Sequence, residues 1–146
     1  MTRGYERLLV PVDGSDASMV AVDEAVGLAD RVGASVHGLY VVDPAQFHGF
    51  TTEDEAVDHL EQVGESALAD LAERCRSHDV PVETTMRQGH AGKTIVEFAT
   101  DEELDCIVMA THGHRGLDHY LLGSIAERVV RHATVPVLTV RALTDD

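Results

Sequence analysis

Positive charge is what this sequence has least of: Lys93 is its only lysine, and eleven basic residues face twenty-six acidic ones for a formal net charge of −15. Binding to phosphate polymers and anionic membranes draws on cationic side chains, so DNA, RNA and lipid surfaces are poor partners for such a chain. Cysteine is scarce too. Cys75 and Cys106 stand far apart without a C-x-x-C neighbour, which leaves neither a disulfide framework nor a thiolate zinc site and reads as two ordinary buried thiols. No apolar run approaches the roughly 18 residues of a membrane-spanning helix. The opening Met1-Thr2-Arg3-Gly4-Tyr5-Glu6-Arg7 lacks the charged, apolar and small-residue order of a secretory leader, so a soluble, cytoplasmic protein is expected. No repeat, low-complexity tract or linker interrupts the chain, and one domain over residues 1–146 is expected.

What is present is acid and periodicity. An acidic, lysine-poor surface is what a protein kept soluble in concentrated salt needs, because the Debye length shrinks to about 3 Å at molar salt. It implies a halophilic source, with an acidic protein of an ordinary cytoplasm as the alternative.

Apolar runs predict strands at Arg7 to Val12, Ser35 to Val42, Val82 to Met86, Cys106 to Ala110 and Val135 to Val140. Between them, helical spacing predicts helices over Ala17 to Val32, ended by Gly33, and from Thr52, where Thr52 and Glu55 form a capping box, along a stripe of Ala56, Leu60, Val63, Ala67, Leu71 and Cys75. Further helices are predicted at Ala91 to Glu102, with Ile95, Phe98 and Ala99 inward, and at about Ser124 to His132. Pro44 to Phe50 reads as a loop. Strands apolar on both faces and alternating with helices indicate a doubly wound α/β fold, a five-stranded parallel sheet with helices on both faces. Of the common orders 2-1-3-4-5 and 3-2-1-4-5, the second is the expectation.

In such sheets ligands bind beyond the carboxyl ends of the strands, where the order reverses, here between the first and fourth strands. The chain delivers Pro11, Val12, Asp13, Gly14 and Ser15 there, then Val41, Val42 and Asp43, then the segment from Met109 and Ala110 to Ser124. That last segment has the outline of a phosphate cradle: glycines allow close backbone approach, and the helix that follows offers unpaired amides and a partial positive charge at its N-terminus. A divalent cation would help hold a triphosphate against so acidic a surface, with Asp13 as one possible oxygen.

At these residues the sequence resembles the universal stress protein family over essentially its whole length. The family's nucleotide signature, G-x-x-G followed after nine residues by G-S or G-T, is matched by Ala110-x-x-Gly113, nine residues, Gly123-Ser124, with Ala110 in place of the first glycine. Val10-Pro11-Val12-Asp13-Gly14-Ser15, Tyr40-Val41-Val42-Asp43 and Val135-Pro136-Val137-Leu138 also look like that family's. The resemblance implies an adenine-nucleotide-hydrolase-like fold binding ATP or ADP with Mg. Pro11, Asp13 and Val41 would frame adenine and ribose, and Gly113, Gly123, Ser124 and Ile125 would hold the phosphates. His112 and Arg115 belong to the same candidate loop. The resemblance further implies a homodimer pairing Val135 to Val140 with its copy, a nucleotide-dependent regulator in the stress response, and at most slow ATP hydrolysis.

Other readings compete. Ser124 and Glu127 form an S-x-x-E pattern, so Ser124 could cap its own helix instead of meeting phosphate. Asp13 could simply end its strand by accepting turn hydrogen bonds, and His112, His114 and His119 match no strong metal-ligand spacing. No P-loop is present, since Gly89, Gly92, Lys93 and Thr94 have the wrong spacing. A phospho-receiver domain would need an aspartate where Met86-Arg87-Gln88-Gly89 stands. An adenylating enzyme would need a glycine doublet near Asp13-Gly14-Ser15. A nucleotide-free dimeric interaction module of the same fold is the remaining alternative.

Overall fold

The computed structural model describes residues 4–112 and 122–142. Its strands are β1 (Arg7–Val12), β2 (Ser35–Val42), β3 (Val82–Gln88), β4 (Cys106–Ala110) and β5 (Val137–Val140), and its helices are α1 (Asp16–Val32), α2 (Glu53–Ser77), α3 (Ala91–Asp101) and α4 (Ser124–His132). They form one five-stranded parallel sheet of order β3-β2-β1-β4-β5, the expected topology.

Alternation along each strand divides the core in two. Leu8, Val10, Val12, Val36, Tyr40 and Val108 pack under α1 and α2 with Val22, Leu68 and Leu71, while Leu9, Leu39, Ile107 and Met109 pack on the other face under α3 and α4 with Ile95, Phe98 and Val129. The expectation of strands buried on both faces therefore holds for β1, β2 and β4. It fails for the edge strands, where β3 exposes Glu83, Thr84, Arg87 and Gln88 and β5 exposes Leu138, because an edge strand is covered on fewer sides.

Local signals explain most element ends. Ser15 caps α1 by accepting from the Ser18 amide at 3.1 Å, and Gly33, at φ +74°, ends it in the left-handed conformation while Ala34 N–H donates to Ala29 O. Thr52 Oγ1 accepts from Glu55 N–H at 3.1 Å, but the Glu55 carboxylate reaches back to Thr51 N–H, one residue earlier than a reciprocal box requires. The Pro44 to Phe50 segment contains a short 3-10 turn, Pro44–Gln46, capped by Asp43. β3 runs two residues beyond its expected end, and β5 starts at Val137, not Val135, because Pro136 has no N–H to offer β4 and contributes only its carbonyl, to Ile107 N–H.

A buried histidine lies away from the ligand-facing edge. His37 on β2 is 7% exposed, with Nε2 bonded to Thr85 Oγ1 at 2.7 Å and Nδ1 without a hydrogen-bond partner, 3.8 Å from the Glu83 carboxylate. Burial holds its pKa below the ordinary histidine value, with Glu83 opposing that shift in part. The unfolded chain then takes up the proton first as pH falls, so stability is complete above about pH 6.5 and declines below it. His37→Gln, which keeps an amide for Thr85, is expected to flatten the decline in denaturant midpoint between about pH 6.5 and 5.5.

Candidate functional site

The strands splay where the order reverses. β1 stays in register with β2 from Arg7 to Val12, but its ladder with β4 stops at Leu9 and Ile107. Asp105 N–H donates to Arg7 O, so odd-numbered residues of β1 present their backbone to β4, and the next one after Leu9 is Pro11. Proline has no amide hydrogen, so the ladder cannot continue there. Beyond that point lies a cavity of about 630 Å³, within the roughly 300–1,000 Å³ of small-molecule sites.

Three groups of residues enclose it. Pro11, Val12 and Asp13 come from the end of β1, and Met109, Ala110, Thr111 and His112 from the end of β4. Leu39, Tyr40, Val41 and Asp43 of β2 and its end, with Ala45, Gln46 and His48 just after, form a second side. Gly123, Ser124, Ile125 and Ala126, the start of α4, form the third. Glu127 N–H makes the first intrahelical bond, to Gly123 O, so the amides of Ser124, Ile125 and Ala126 precede the helical ladder at the cavity. They and the helix dipole make this end of the cavity electropositive in a strongly acidic protein.

The expected site residues thus divide. Pro11, Val12, Asp13, Val41, Met109, Ala110, His112, Gly123, Ser124 and Ile125 all line the cavity. Gly14 and Ser15 do not: Gly14, at φ +85°, makes the turn, and the Ser15 hydroxyl donates to Asp13 Oδ1 at 2.5 Å while accepting from Ser18 N–H. Together they shape the reversal of the chain into α1 immediately after β1. Gly113 and Arg115 lie outside the described residues, as do His114 and His119.

Two ambiguities resolve. Ser124 is not the cap of its helix; Gly123 occupies that position, no side chain caps the helix there, and the S-x-x-E pattern is out of register by one residue. Asp13 does accept the turn bond from Ser15 N–H at 2.9 Å, yet it also lines the cavity. Ala110, for its part, sits in regular strand opposite Val140, and the non-glycine residues of positive φ among those described are Asp79 and Glu103. Alanine there meets no glycine-only geometry.

Asp43 is the residue whose part could not be read from local pattern. Only 7% exposed, it accepts from Ala45 N–H at 2.8 Å through one oxygen and from Ala91 N–H at 2.9 Å through the other, capping α3 from 48 residues away. Its signal was a strand-end aspartate before proline. In Asp43→Asn, one of those two amides loses its acceptor, and a loss of about 1–2 kcal/mol in the denaturant-derived unfolding free energy is expected. Tyr40, also in the lining, is buried, and burial together with the Asp13 charge pushes its hydroxyl up to about 12, so it remains protonated. Among the described residues no group of three or more His, Cys, Asp or Glu is placed to hold a metal ion, and no helix is long and apolar enough to cross a membrane.

Comparison with known proteins agrees with this architecture. The model of the universal stress protein family matches residues 4–141. A universal stress protein of Methanocaldococcus jannaschii is 39% identical over 140 residues, covering 94% of this chain and 82% of that one. The solved structure of universal stress protein UspA from Lactobacillus plantarum superposes with a TM-score of 0.81 at 30% identity, covering 96% of this chain and all of the other. A universal stress protein solved in complex with cAMP has a TM-score of 0.74 over 94% of this chain and 98% of its own, and at 24% identity attests the fold. With a family match running from residue 4 to residue 141, the chain belongs to the universal stress protein family.

Proposed function

We propose that this protein binds an adenine nucleotide, ATP or ADP, at the switch point between β1 and β4, and works as a nucleotide-dependent regulator. The observation that carries the reading is the pairing of two unlike ends in one cavity: apolar Pro11, Val12, Leu39 and Val41 on one side and the open amides of α4 on the other. A base and ribose suit the first and phosphates the second. A fold relative that holds cAMP is consistent with that ligand class. Asp13 would supply an oxygen to a Mg ion carried by the phosphates, and at most slow hydrolysis goes with this role.

The remaining expectations go with this reading. A homodimer would form through Val135 to Val140, since β5 is a sheet edge with Leu138 40% exposed and Val130 of α4 lies open nearby in sequence. Residues 1–146 would act as one domain in a cytoplasmic, halophilic setting. Calorimetric titration with ATP, ADP and AMP, each with Mg at high salt, tests the ligand. Saturable binding is the expected result. Absence of heat from protein shown to be folded by circular dichroism overturns it and leaves the nucleotide-free dimeric module.

A further inference from the structure

A second cavity, of about 420 Å³, opens along α4 beside the first and shares Ser124 and Ile125 with it. It runs past Arg128, Arg131 and His132, with Gly92 of α3 as its far wall. Ser124, Glu127, Arg128, Arg131 and His132 are spaced i, i+3, i+4, i+7 and i+8, which places them on one side of the helix. In a chain with eleven basic residues and a net charge of −15, two arginines on one face of a helix are a local concentration of positive charge.

The two arginines are not equivalent. Arg131 is engaged by Glu127 at 2.6 Å, which also neutralises the carboxylate nearest the groove. Arg128 makes no ion pair with any described residue, although twenty-six acidic residues are available in the chain. Its aliphatic stem lies against Gly92: a Cβ there would stand 2.8 Å from Arg128 Cδ and 3.2 Å from its Cβ. The missing side chain at position 92 therefore gives the stem its place along the groove. A guanidinium supplies a fork of donors that matches phosphate oxygens.

From this continuity we infer that Arg128 sets the length of phosphate chain the protein prefers, favouring a nucleoside triphosphate over a monophosphate. The inference rests on the nucleotide reading above. Helical rise puts Arg128 about 6 Å along the axis from Ser124. On this reading a phosphate held at the α4 amides stands at the head of the groove, and two further phosphoanhydride links extend the chain into it toward Arg128. The side chain binds the terminal phosphate and takes part in no bond-breaking step.

The test is calorimetric titration of the full chain with ATP and with AMP, at fixed ionic strength, for wild type, Arg128→Gln and Arg31→Gln. Arg31, in the last turn of α1, controls for the change in net charge. Wild type is expected to bind ATP about tenfold or more tighter than AMP, a preference that a charge-assisted contact supplies. In Arg128→Gln the preference falls to near unity with AMP affinity kept, and in Arg31→Gln it persists. An unchanged ATP-to-AMP ratio in Arg128→Gln overturns the assignment while nucleotide binding stands. A folded wild type that binds neither nucleotide removes both readings together.

Discussion

Gly64→Ala is expected to destabilise the protein by about 2 kcal/mol, while the same substitution at Gly27 stabilises it. Both glycines lie in helix interiors, where alanine is favoured by about 1 kcal/mol on conformational entropy alone. At Gly27 an added Cβ meets nothing within 4 Å, so that gain is realised. At Gly64 it would stand 2.5 Å from Tyr40 Cδ2 and 2.7 Å from Met86 Cε, closer than packed carbons come. Overpacking a buried site costs about 1–3 kcal/mol, and more where the neighbour cannot turn aside. Tyr40 is 2% exposed and held between the sheet and α2, so the cost exceeds the helix-propensity gain. Thermal melts of the two variants beside wild type decide the matter. A fall of about 5 °C or more is expected for Gly64→Ala and a small rise for Gly27→Ala. Equal shifts in one direction would mean that α2 moves off the sheet at low cost.

Gly123→Val addresses the site with little demand on the fold. Gly123 has φ −64° and ψ 162°, which any residue can adopt, so the backbone is not strained by the change. The added Cβ would lie 3.2 Å from Thr111 O and 3.5 Å from His112 Cα, both backbone atoms, and valine adds two methyls beyond it. Gly123 N–H also ties α4 to the end of β4, donating to Thr111 O at 2.7 Å. Pushing these apart shifts the amides of Ser124, Ile125 and Ala126 that would meet phosphate. A loss of affinity of about 30-fold for ATP is expected, equivalent to about 2 kcal/mol, with Gly123→Ala intermediate. Wild-type affinity in a folded Gly123→Val protein would place the phosphates elsewhere and withdraw the nucleotide reading at this helix.

The sequence by itself determined the elements that carry strong local signals and the order in which they assemble. β1, β2, β4 and α4 begin and end where periodicity and turn residues put them, Gly33 ends α1, and Thr52 opens α2. Alternation of strand and helix, with right-handed crossovers, then leaves few topologies, and the strand order follows. Local pattern also located the edge of the sheet at which the cavity lies, because β1 and β4 flank the reversal whatever their side chains.

Tertiary structure decided what depends on residues far apart. The one-residue register that makes Gly123 the cap and leaves Ser124 facing the cavity is set by the hydrogen bond from Gly123 to Thr111, not by the S-x-x-E pattern. Asp43 caps a helix it precedes by 48 residues, a distance at which no local rule operates. The glycines at 38, 64 and 92 look alike in sequence, yet the first two make room for Leu71 and Tyr40 in the core and the third for an arginine at a groove. Helix propensity, capping and turn chemistry act over a few neighbouring residues and can be read in order; packing and remote capping are contacts between distant segments, and they exist only once the sheet has brought those segments together.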